Sequence, residues 1–259
     1  MQQDGRSSDT QRASTANTIT EAFGRRQALM TLGALGLLGC GAGDPASSSS
    51  SGGSSGTGTS GSCALIPQET QGPYPLLTIL SNSTMLRQDI TEGKTGVALK
   101  LVLKLVNVNA SCAAIANTAV YIWHCDKDGI YSGYSQPAAN TVGATFCRGI
   151  QLTDSNGEVA FTTIYPGWYA GRITHIHFQA YLADNLTVAA TATSQIAFPQ
   201  DITTAVYNST LYAARGQHTS VTSFSADNVF SDGTTYQMAT IAGDLTSGYT
   251  ATLTVGIAA

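Results

Sequence analysis

From Val97 to Leu105 the apolar side chains fall at every second position: Val97, Leu99, Leu101, Leu103 and Leu105 form one row, with Lys100 and Lys104 on the other. Successive side chains of a strand point to opposite faces, so this period describes a strand with one buried and one wetter face. It does not suit a helix, whose apolar stripe repeats every three to four residues. Residues 118–125 (TAVYIWHC), 158–164 (EVAFTTI), 172–182 (RITHIHFQAYL), 236–241 and 250–257 are predicted as further strands. Turn chemistry separates them: Asp154-Ser-Asn156-Gly157 is a strong hairpin signal, and Asp126 to Gly129 and Ser231-Asp232-Gly233 are weaker ones. No stretch beyond residue 39 carries a capped helix of three turns. Many short, mainly antiparallel strands joined by long loops predict an all-β fold with a β-sandwich core.

The N-terminal part reads differently. Gly24-Arg25-Arg26-Gln27 is a positive segment followed by an apolar run, residues 28–39, too short to span a bilayer as a helix. Residues 1–39 therefore read as a signal peptide. Leu37-Leu38-Gly39-Cys40 fits a lipoprotein cleavage site, which would leave Cys40 as a lipidated N-terminus, and the arginine pair suits twin-arginine export. Residues 46–62 (ASSSSSGGSSGTGTSGS) have no side chain that could repay their ordering entropy, so residues 40–62 are expected to be a lipidated cysteine and flexible tether. A tether of that length has an rms span of roughly 20 to 25 Å. The expected location is a bacterial cell envelope, periplasmic or extracellular, with a membrane contact through the lipid.

Residues 63–259 suffice for one domain with a substantial core. The chain's net charge is −4 and stays negative once the leader is removed, which excludes nucleic acid as a partner. Cys63, Cys112, Cys125 and Cys147 remain after export, enough for two bridges in three connectivities, with free buried thiols as the alternative.

The chain has four histidines, His124, His175, His177 and His218, and two of them lie two residues apart within a predicted strand. Side chains at i and i+2 share a face, so His175 and His177 can bind one ion, with Ile176 turned into apolar packing. His124 follows Trp123 on a strand and reads as a packed core histidine, and His218 lies in a polar stretch and reads as solvated. Tyr131 follows a strand and turn and is expected to be exposed, with Tyr134 beside it. Arg172 has the opposite parity to the histidines. It reaches their face only if the chain bends between Gly171 and His175, and otherwise serves as an ion-pair partner.

The motifs occur in a telling order. Val120-x-Ile-Trp is followed after seven residues by Tyr131; then come Arg148-Gly-x-x-x-Thr-Asp-Ser-x-Gly157, Thr163-Ile-x-Pro-Gly-x-Tyr169 and Arg172-x-x-His-Ile-His-Phe178. This order resembles the intradiol ring-cleavage dioxygenases of the protocatechuate 3,4-dioxygenase type. Upstream, Glu69-Thr-Gln-Gly-Pro-Tyr74 and Arg87-x-Asp-Ile-Thr-Glu-Gly-Lys-x-Gly96 look like the opening segments of the secreted, intradiol-like branch. The likeness runs over about residues 63 to 200.

The resemblance implies that Tyr131, Tyr169, His175 and His177 ligate a non-haem Fe(III), and that Arg172 and Gln195 are the active-site arginine and glutamine. It places Thr70, Pro73 and Tyr74 at the substrate pocket, and the Pro-Gly-x-Tyr pattern selects Tyr169 over Tyr165 as ligand. Donor chemistry agrees, because phenolates and imidazoles suit a hard, highly charged ion. Sulfur does not, so Cys125 and Cys147 read as structural. An Fe(II) site of two histidines and a carboxylate would need an acid near the His strand, and Asp184 lies beyond it. The implied reaction opens a catechol with O2 to a muconate-type diacid, with Tyr169 displaced by the substrate. Only Ala170 and Gly171 separate Tyr169 from Arg172, a shorter loop than the best-known enzymes carry, so no particular catechol follows. The rival reading is a noncatalytic exported binding or adhesion lipoprotein with a structural metal site, since a fold alone does not establish activity. Oligomeric state is not legible.

Overall fold

The computed structural model describes residues 64–259. The leader, Cys40, the tether and Cys63 lie outside the described residues. In chain order the elements are β1 (Ala98–Asn107), β2 (Ala113–Ala114), β3 (Ala119–Trp123), β4 (Ser135–Gln136), β5 (Ala139–Asn140), β6 (Arg148–Leu152), β7 (Glu158–Ile164), β8 (His175–Tyr181), β9 (Ala192–Ala197), α1 (Gln200–Tyr207), β10 (Thr240–Asp244) and β11 (Gly248–Ile257), with short 3-10 turns between. One sheet runs β10-β11-β1-β2, with β7 pairing β1 on the β2 side; a second runs β6-β3-β8-β9; and β4 and β5 form a small hairpin. Every pairing between these strands is antiparallel except β1 with β11. The all-β sandwich is thus observed, with a single short α-helix among the described residues. None of their helices is long and apolar enough to cross a membrane.

The alternation in β1 does what its period demands. Leu99, Leu101, Leu103 and Leu105 are buried against Val120 and Ile122 of β3 and Ile176 and Phe178 of β8, while Lys100 and Lys104 face out. Each such leucine contributes about 1.5 to 3 kcal/mol by leaving water. The Asp154 turn forms as expected: its Oδ1 accepts the backbone N–H groups of Asn156 and Glu158, and Gly157 takes a φ of 76° with β1 backbone too close for a Cβ.

The second sheet is buried on both faces. Val120, Ile122, Ile176 and Phe178 point into the sandwich, and the opposite parity, Tyr121, Trp123, His175 and His177, points away from it. That outer face is covered by Ile79, Met85 and the partly buried Tyr74, Leu76 and Leu80 from the segment before β1. The cover turns an outer sheet face into an interior where polar side chains are held away from water.

Several expectations are corrected. The strand predicted over 172–182 begins only at His175, because Gly171 adopts a φ of 89° and the chain turns there. The strand predicted over 236–241 is shifted to β10; Gln237 and Met238 instead close a turn onto the Thr234 carbonyl. The strands β6 and β9 and the two-turn α1 were not predicted. The two-bridge arrangement does not form: Cys112 is disulfide-bonded, while Cys125 and Cys147 are free and buried. Burial is the main cause that pushes the Cys125 thiol far up, and that of Cys147 to about 12.

Candidate metal centre

β8 is the axis of the site. Its register pairs His177 with Trp123 of β3 on one side and Gln195 of β9 on the other, and Trp123 pairs in turn with Arg148 of β6. Arg148, Trp123, His177 and Gln195 therefore form one continuous rung across the sheet, all buried. The Trp123 indole stacks on the His177 imidazole, centroids 4.9 Å apart and planes within 2°. On the open side Gly72 closes over the same ring; with a φ of 67°, a Cβ there would lie 3.2 Å from His177 Cε1. A side chain at that position would crowd the imidazole, so glycine is what lets the segment pass.

Three side-chain heteroatoms converge on His175 Nε2 and make with it a cluster of four. His177 Nε2 lies 3.1 Å away, Tyr169 Oη 3.3 Å and Tyr131 Oη 3.4 Å. The Nδ1–H of His175 donates to the Ile173 carbonyl at 2.6 Å, which leaves the Nε2 lone pair facing the cluster. His177 Nδ1 is buried without a partner, so the polar function of that ring also rests on Nε2. Burial holds both imidazoles neutral, with help from the Arg172 charge at His175 and from the neighbouring His175 at His177; the His175 pKa falls to about 3 and that of His177 far below its usual value.

The phenols respond oppositely. Burial, with Tyr169 next to it, raises Tyr131 well above the ordinary phenol range, and burial raises Tyr169 to about 12 despite the lowering influence of Arg172. Buried away from water, a phenolate here needs a close cation. Two neutral imidazole lone pairs and two phenol oxygens fit a hard trivalent cation such as Fe(III). No group of three or more His, Cys, Asp or Glu side chains placed to hold a metal exists among the described residues, so the phenols are essential to such a site.

The two tyrosines differ in freedom. Tyr131, expected to be exposed, is 1% exposed and packed under Tyr74, ring centroids 4.9 Å apart. Tyr169 is only partly buried and lines a cavity of about 280 Å3 with Tyr74, Ile130, Pro137, Ala138 and Arg215. Thr70 and Pro73 are exposed and do not line that cavity, although the Thr70 carbonyl accepts Gln195 Nε2–H at 2.9 Å.

Arg172 realises both of its alternatives. The turn at Gly171 frees it from strand parity, so its Nη1 lies 3.5 Å from His175 Nε2 and its Nη2–H donates to Gln195 Oε1 at 2.6 Å. Its Nε–H also donates to Asp227 at 2.9 Å. The sequence reading missed Asp227, a fully buried carboxylate that also accepts the backbone N–H groups of Ile173, Val229 and Phe230. Burial pushes the Asp227 carboxyl up, but the Arg172 contact and the N–H groups outweigh it and hold it below the usual range.

The other candidates lie elsewhere. Tyr165 sits in the sandwich core with its hydroxyl on Thr203, and the Tyr134 hydroxyl accepts the Leu76 N–H. His124 is a packed core histidine between the Cys125 carbonyl and Thr163 Oγ1. His218, expected to be solvated, is half-buried against Trp168 and Tyr207 and hydrogen-bonded to Thr174 Oγ1 at 2.9 Å.

A dioxygenase family model matches residues 71–240. Two solved dioxygenase structures align at 28% and 27% identity, each with a TM-score of 0.65 and each covering 76% of this chain and 95% of its own; the second is an intradiol ring-cleavage dioxygenase from Tetranychus urticae. The dioxygenase domain of a dioxygenase and carbohydrate-binding fusion from Streptomyces sp. SirexAA-E aligns at 19% identity with a TM-score of 0.50, over 74% of this chain and 97% of that one, a likeness of fold. No curated protein matches the chain in sequence.

Proposed function

Because the chain belongs to the intradiol ring-cleavage dioxygenase family, we propose that it opens a catechol-type ring between its two hydroxyl-bearing carbons, using O2 and Fe(III) and yielding a muconate-type diacid. The observation that carries this reading is the convergence of the Tyr131, Tyr169 and His177 heteroatoms within 3.4 Å of His175 Nε2, in a buried pocket open on one side to a cavity.

Tyr131, Tyr169, His175 and His177 would hold the iron, which when bound supplies the Lewis acidity that prepares the ring for O2. The residues divide the remaining work. Tyr131, buried against Tyr74, and His177, stacked on Trp123, are locked in place and keep the site's shape. Tyr169 borders the cavity and is the phenol free to swing aside, where its Oη accepts a proton from a substrate hydroxyl. Arg172 faces the cluster as a fixed cation, held in orientation by Asp227 and Gln195, and stabilises negative charge developing on the reacting ring. Gly72 over His177 and Tyr74 over Tyr131 roof the pocket and exclude water. Overall one catechol and one O2 give one diacid, with both oxygen atoms retained in it.

The leader, the Cys40 lipid and the Ser/Gly tether would hold this enzyme at a cell-envelope membrane while leaving its orientation free. The test combines iron analysis and visible spectroscopy of purified protein with oxygen uptake on a panel of catechols. About one iron per chain, a red-brown to purple colour and catechol-dependent uptake are expected. Colourless protein that stays inert after iron reconstitution would leave only the structural-metal reading.

A further inference from the structure

Arg148 is fully buried and no carboxylate among the described residues pairs with it. Its guanidinium donates only to neutral acceptors: Nε–H to Ser132 Oγ at 2.8 Å, Nη2–H to the Ser132 carbonyl at 2.8 Å, Nη1–H to the Tyr74 carbonyl at 2.7 Å and to Tyr121 Oη at 2.9 Å. Hydrogen bonds satisfy the donors but do not cancel the charge, and a buried charge without a counter-charge is costly to keep. The residues it grips are informative. Ser132 follows Tyr131 in the chain, Tyr74 packs against the Tyr131 ring at a tilt of 31°, and Tyr121 Oη–H donates to the Pro75 carbonyl. The guanidinium carbon lies 6.0 Å from the Tyr131 ring centroid and 5.7 Å from that of Tyr134. Arg172, by contrast, has Asp227 as its counter-charge.

We infer that Arg148 is a positioning residue for the metal centre: it clamps the Tyr131 loop to the pocket roof, and its uncancelled positive charge is matched by Tyr131 when that side chain serves as an anionic ligand. This rests on the proposed iron site. A positive charge beside a phenolate lowers the energy of its filled orbitals, so removing it makes electron transfer from ligand to metal easier and moves the charge-transfer band to longer wavelength.

The experiment compares wild-type protein with Arg148→Gln, Arg148→Lys and Ser132→Asp, all iron-reconstituted. It reads band position, the rate of iron loss to a chelator and the melting temperature. Arg148→Gln is expected to shift the band to longer wavelength and to release iron roughly ten- to a hundredfold faster, the range for losing a partner that orients a ligand. Arg148→Lys keeps the charge and should leave the band near its wild-type position, though one ammonium cannot span all four acceptors. Ser132→Asp leaves the guanidinium in place but gives it a carboxylate, so it should move the band in the same direction as Arg148→Gln, and it decides the matter if the glutamine variant does not fold. An unshifted band in folded Arg148→Gln or Ser132→Asp protein, or equal shifts in the lysine and glutamine variants, would overturn the inference. Wild-type protein without iron or colour would overturn the iron site first, and this inference with it.

Discussion

Asp227→Ala should be among the most damaging single changes outside the ligand set. Asp227 is 0% exposed and accepts five hydrogen bonds: two from Arg172 Nε–H at 2.9 and 3.2 Å, and one each from the N–H groups of Ile173 at 2.8 Å, Val229 at 2.9 Å and Phe230 at 3.1 Å. Truncation strands a guanidinium whose side chain is only 10% exposed, together with three backbone donors. Breaking a buried pair from one side costs about 3 to 5 kcal/mol. At about 2 to 4 °C per kcal/mol for a domain of this size, the melting temperature should fall by roughly 6 to 20 °C. The damage should reach the metal centre, because the Ile173 held by Asp227 through its N–H also orients His175 through its carbonyl. Differential scanning calorimetry on the iron-loaded protein, followed by chelator challenge, reads both effects. Asp227→Asn keeps an acceptor oxygen and should lie between wild type and alanine. A melting temperature and iron retention unchanged in Asp227→Ala would refute the claim that this carboxylate anchors Arg172 and the start of β8.

The remaining predictions follow from the same geometry. His175→Ala and His177→Ala should abolish iron retention while His124→Ala and His218→Ala keep it, and Tyr131→Phe and Tyr169→Phe should change the visible band while Tyr165→Phe and Tyr134→Phe leave it nearly in place; metal analysis and absorption spectra check both sets. Arg172→Lys should retain iron and most of the colour yet lose turnover by roughly one to three orders of magnitude, measured as catechol-dependent oxygen uptake, because a lysine cannot reach Gln195 and Asp227 together. The carboxyl of Asp227 is depressed in the folded state, so its stabilisation is complete above the unfolded carboxylate pKa and is lost as pH falls through the folded value. Thermal melts below about pH 4 should therefore decline more steeply for wild type than for Asp227→Asn.

What the sequence revealed and what it hid have a common physical cause. The β1 row and the Asp154 turn were legible because one face of β1 meets solvent and the turn's side-chain acceptor and glycine are local. The strands β6 and β9 carry long buried stretches, so no polar alternation marks them, and β6 is only five residues long. The His175 and His177 pair was visible as an i, i+2 spacing. Arg172 was recognisable only through the motif, because its side chain is aimed by a backbone turn at Gly171 that breaks the strand period. Asp227 gave no signal at all: it is a lone acid 55 positions from its partner, and only the tertiary fold joins them. Arg148 stood in the motif, but nothing in a linear sequence shows that its charge is unpaired.

The central claim is that four ring donors hold an iron that lets this chain open a catechol between its hydroxyl-bearing carbons. Mass analysis of the product formed under 18O2, with iron-loaded and iron-stripped protein side by side, tests it most directly. The expected result is one diacid carrying both labelled atoms, formed only by the iron-loaded protein. Product formation that persists without iron, label in fewer than two positions at early times, or a ring opened beside the diol instead of between its hydroxyl-bearing carbons would contradict it.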